Sequence, residues 1–96
     1  MAPKTISAPD VLQAGIEAMA NRSAIRDQPN GERSAGRAAA IISAWEGVEC
    51  CEDHIWRVLI AVKMARSRQG AFHLDDHLDH AAYVALLAEC EAGKNE

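Results

Sequence analysis

Two aspartates, Asp76 and Asp79, stand three residues apart in the second half of the chain. On a helix that spacing puts both carboxylates on one face, with Tyr83 one turn further on. Two acids so placed can share Mg²⁺, which takes oxygens from one or two carboxylates together with those of a substrate phosphate. They can equally pair with Lys63 or Arg66 on a preceding antiparallel helix, as a structural ion pair. Spacing alone leaves both readings open.

Other groups of residues offer different chemistry. His73, His77 and His80 recur at i, i+4 and i+7 and can bind Zn²⁺ through neutral imidazoles, or stand solvated. Arg22, Arg26, Arg33 and Arg37 gather around one connection. Their guanidinium forks suit phosphate oxygens, or salt bridges to Asp27 and Glu32 across the turn. Cys50 and Cys51 fall at a helix beginning, where a thiol pKa can drop, but no histidine–acid arrangement marks either as a nucleophile. Ser34 likewise lacks an identifiable base.

Four helices are expected to position these groups. Ser7-Ala-Pro-Asp10 is a start signal: a capping serine, a proline in the first turn and an acid three residues after the serine. Leu12, Ile16 and Met19 then carry a first helix from about Pro9 to Asn21, stopped by Asp27-Gln-Pro-Asn-Gly31. A second, from about Glu32 to Glu46, aligns Ala35, Ala38, Ile41, Ile42 and Trp45 along a mostly small face and ends at Gly47. The third opens on Glu49, Glu52 and Asp53, where negative charge suits the helix dipole, and closes at Gln69-Gly70. Ile55, Leu59 and Val62 form its main stripe, widened by Trp56, Val58 and Ile60, as in a central helix contacted from more than one side. Lys63 lies beside Trp56, and Arg66 at the stripe's end. The fourth runs from Leu74 to about Glu91, with Leu74, Leu78, Ala81, Ala85 and Ala88 on one face.

Composition agrees with an all-α, compact four-helix bundle-like domain. Apolar residues make up 49% and charged ones 25%, a globular balance, while aromatics are only 4%. Abundant alanine with few aromatics favours close-packed helices over a β-sandwich. The 96 residues suit one domain, with 1–7 and 93–96 expected to be flexible. So small a core favours a homo-oligomer. Net charge is −4: residues 1–48 carry five basic and five acidic side chains, and residues 49–96 five basic and nine acidic. No basic excess exists to neutralise a run of phosphates, which argues against general nucleic-acid binding. Three cysteines, two of them adjacent, make a poor disulfide framework. No signal-peptide or membrane-spanning pattern is visible, so a reduced, cytoplasmic setting is expected.

Two resemblances add to this reading. Glu49-x-x-Glu52 followed by Asp76-x-x-Asp79 looks like the paired acidic motifs of MazG-type nucleoside-triphosphate pyrophosphohydrolases. That likeness implies two adjacent helices supplying acids to Mg²⁺ while water attacks a bound triphosphate. The second motif here has Asp where that family has Glu. Over residues 20–90 the chain also resembles a family of small phage and prophage proteins of unassigned function. The similarity rests on Gly31-Glu-Arg-Ser34, Trp56, Lys63-Met-Ala-Arg66 and Asp75-Asp-His-Leu-Asp79 with Ala81-Ala-Tyr83. Where those proteins have glycine after the last Asp, this chain has His80. The resemblance implies a viral origin and a bacterial host cytoplasm.

The expected site is therefore Glu32, Arg33, Lys63, Arg66, Asp76 and Asp79, binding a nucleotide or other phosphorylated small molecule. In a hydrolytic version Asp76 and Asp79 hold Mg²⁺ while Lys63, Arg66 and Arg33 neutralise phosphate. The alternative is a non-enzymatic interaction protein that inhibits or adapts a host factor such as antiviral defence machinery, through an acidic surface around His73, Asp75 and His77.

Overall fold

A computed structural model describes residues 6–25 and 34–94, with side chains through Asn21 in the first segment. Among the described residues there are four helices and no strand: α1 (Ala8–Ile25), α2 (Ser34–Glu46), α3 (Glu52–Ser67) and α4 (Leu74–Lys94). None is long and apolar enough to cross a membrane. The expected stop at Asp27–Gly31 lies outside the described residues, as do Glu32 and Arg33.

Local signals set the ends. At the start of α1, the Asp10 N–H donates to Ser7 Oγ at 3.2 Å and the Val11 N–H to the Ser7 carbonyl at 3.1 Å. The first satisfies a first-turn donor that has no partner inside the helix, and the second is the helix's first regular backbone bond. Gly47 leaves α2 at φ 69° and Gly70 follows α3 at φ 70°, a left-handed conformation that glycine enters without a Cβ clash. α4 runs on through Gly93 and Lys94, part of the segment expected to fray, because the Lys94 ammonium meets Asp53 at 2.7 Å.

The arrangement is bundle-like but open. α3 and α4 form the central antiparallel pair, α2 packs on α3 and α1 on α4, while among the described residues α1 and α2 make no close approach to each other. The core is small: Ala35 and Ala39 of α2 close against Ile55 and Trp56 of α3, with Leu59, Tyr83 and Leu86 around them. The Trp56 and Tyr83 rings lie 5.8 Å apart, tilted at 33°, a favourable aromatic contact across α3–α4.

Several expected stripes are divided by this packing. On α1 the aliphatic stripe points outward, Leu12 being 61% and Ile16 60% exposed, while the smaller Val11, Ala14 and Ala18 are half-buried. On α2, Ala35 is buried but Ile41 and Trp45 are exposed, Trp45 to 77%. Val58 and Val62 of α3 are exposed too, as are Ala85 and Ala88 of α4. The cause is geometric. A helix with one neighbour, as α1 and α2 have, or two, as α3 and α4 have, has only part of its circumference covered, so a broad stripe keeps part of its width in solvent.

The α2–α3 junction rests on two polar contacts. Ser43 Oγ accepts the Cys50 N–H at 2.9 Å and lies within donating distance of the Ala39 carbonyl, at 2.9 Å, and the Cys50 carbonyl, at 3.2 Å. Glu52 Oε2 accepts the Trp56 indole N–H at 3.0 Å, and a Cβ at Gly36 would stand 3.3 Å from Glu52 Oε1. Glycine thus gives the Glu52 carboxylate room beneath α2. Trp56 is 2% exposed, so Glu52→Ala removes the partner of a buried donor and should cost about 1–3 kcal/mol in urea unfolding. Glu52→Gln, which keeps an acceptor, should cost less than about 1 kcal/mol. Equal losses for the two variants would show that the indole bond contributes nothing.

Candidate functional site

Positioning of the charged residues begins with the turn from Arg68 to His73. It is short, so α4 returns along α3 and meets its C-terminal half first. The Arg68 and Gln69 N–H groups donate to Ala65 and Arg66 carbonyls, ending α3, and the Asp76 N–H donates to the His73 carbonyl as α4 begins. On α3 Lys63 shares the inner side with Trp56. On α4 Asp76, Asp79 and Tyr83 share the side that faces them.

Lys63 Nζ lies 2.8 Å from Asp79 Oδ2, with the side chains 13% and 14% exposed. One turn toward the connection, Arg66 Nε approaches Asp76 Oδ1 at 3.9 Å. Asp76 is buried while the Arg66 side chain is 61% exposed. Lys63 and Asp79 therefore form a closed, largely dehydrated pair, and Arg66–Asp76 a looser contact whose guanidinium faces solvent. Of the six expected site residues, the fold brings these four together.

Glu49 and Glu52 lie at the far end of α3. Eleven residues of helix separate Glu52 from Lys63, about 16 Å along the axis, so the two acid pairs do not converge. Glu52 is engaged with Trp56, and Glu49 Oε1 stands 3.8 Å from the Cys51 thiol. Among the described residues no three His, Cys, Asp or Glu side chains are grouped so as to hold a metal ion. His73 and His77 are exposed and His80 half-buried, with the His77 ring stacked on Phe72 at 5.4 Å and 22°. Of the four arginines near the first connection, the described side chains include only Arg37, which is exposed.

A second charged cluster, at the other end of the α3–α4 pair, was not anticipated. Arg57 meets Glu91 at 3.0 Å and Asp53 at 3.9 Å, and Lys94 meets Asp53 at 2.7 Å. The hydrogen bond from Lys94 holds the Asp53 carboxyl below its ordinary value and raises the Lys94 ammonium above its own. Cys90 lies close by, its thiol pushed up by burial and then by the Glu52 charge, so it stays protonated near neutrality. All three cysteines are free thiols. Two signals pointed to this cluster: Asp53-x-x-x-Arg57 spacing, and a lysine in the last turn of α4 opposite the acidic first turn of α3.

Compared with known protein families, with curated proteins and with solved structures, the chain matches none.

Two measurements test these electrostatics. Lys63→Met leaves the Asp79 carboxylate without its closest cation and should cost on the order of 3 kcal/mol in denaturant unfolding. Adding Asp79→Asn should restore more than half of the loss. An additive double variant would show that the pair is not coupled. Carboxyl NMR should place the Asp53 titration below 3.8, and Lys94→Met should return it toward that value. A depressed Asp53 contributes stability above its unfolded pKa that is lost as pH falls through the lower folded value. A raised Lys94 contributes below 10.5 and loses it as pH rises through the higher folded value. An Asp53 midpoint unchanged by Lys94→Met would contradict the assignment.

Proposed function

We propose that the chain is a non-enzymatic helical interaction protein, of the phage or prophage kind its sequence resembles, which binds and inhibits or adapts a bacterial host factor. It works in the host cytoplasm, as an assembly rather than a lone subunit. One observation carries this reading: large apolar side chains face solvent on α1, α2 and α3, while the acids expected to hold Mg²⁺ face cations of their own chain. Exposed apolar surface is costly to keep in water and is characteristic of binding faces. The exposed group of Phe72, His73, Asp75 and His77 adds an aromatic and acidic contact suited to a basic partner, one that salt would weaken. Antiviral defence machinery is the kind of host factor that this origin implies.

A second reading has its own support. The exposed Arg66 guanidinium, only loosely held by Asp76, retains donors for a phosphate oxygen. A nucleotide or other phosphorylated small molecule could bind there, with Glu32 and Arg33 contributing. Hydrolysis would further require Mg²⁺ at Asp76 and Asp79, in competition with Lys63 for the Asp79 oxygens.

The two readings separate cleanly in solution. With a nucleoside-triphosphate panel and Mg²⁺, the interaction reading expects no pyrophosphate release and no thermal shift. It also expects a host protein, identified by mass spectrometry and purified, to rebind the chain and to be released at high salt. Phe72→Ser with Asp75→Lys should lower that affinity about tenfold or more. A nucleotide-dependent thermal shift abolished by Arg66→Ala, with no host protein that rebinds, would overturn it in favour of the phosphate site.

A further inference from the structure

We draw no further inference here: the strongest candidate, the exposed face of α2 around Ile41 and Trp45, is an unpartnered apolar surface, and nothing in the structure shows what covers it.

Discussion

A lysine and an aspartate pressed together between two helices set the frame of this molecule. Lys63 and Asp79, 2.8 Å apart and largely removed from water, lock the sliding position of α4 along α3. Breaking such a pair leaves a charge in a poorly solvated place, so a shifted register is strongly disfavoured. With that register set, Tyr83 lies against Trp56, and the far ends of the helices come together as the Arg57, Asp53, Glu91 and Lys94 cluster. The contacts at that far end are more exposed, so each contributes less than the buried pair.

The outer helices depend on the central two. α2 is seated by alanines over Ile55 and Trp56, and by a glycine beside the Glu52 carboxylate. Small residues bring backbones close but bury little apolar area. Its large side chains, Ile41 and Trp45, thus stay on the water side, and α1 repeats the pattern with Leu12 and Ile16. The same economy of side-chain volume that lets these helices pack leaves the molecule with apolar faces to offer. The proposed binding role falls to those faces because the charged centre is already occupied by its own counter-ions.

Much of the fold was legible because its determinants are local. Ser7 with Asp10, Gly47 and Gly70 marked helix ends through capping and turn chemistry that involves only neighbouring residues. The meeting of Lys63 and Arg66 with Asp79 and Asp76 was legible too, since a short connection forces α4 back along α3. What the sequence could not reveal was which side of each helix finds a neighbour. Hydrophobicity alone favours Leu12, Ile16 and Trp45 as inward residues, whereas contact goes to the alanine faces beside them. The roles of Glu52 and Ser43 were hidden for a related reason. Both belong to the α2–α3 junction, whose geometry emerges only once α2 has settled on Trp56.

The central claim is that the acids between α3 and α4 serve the fold and are held by its own cations. Carboxyl-carbon NMR of Asp76 and Asp79 during a Mg²⁺ titration, in the presence of a nucleoside triphosphate, addresses it most directly. The account predicts that both resonances stay in place at millimolar Mg²⁺, with Asp79 moving only when Lys63 is replaced. A saturable shift of both carboxyls in the wild-type protein would contradict it and make the pair a metal site.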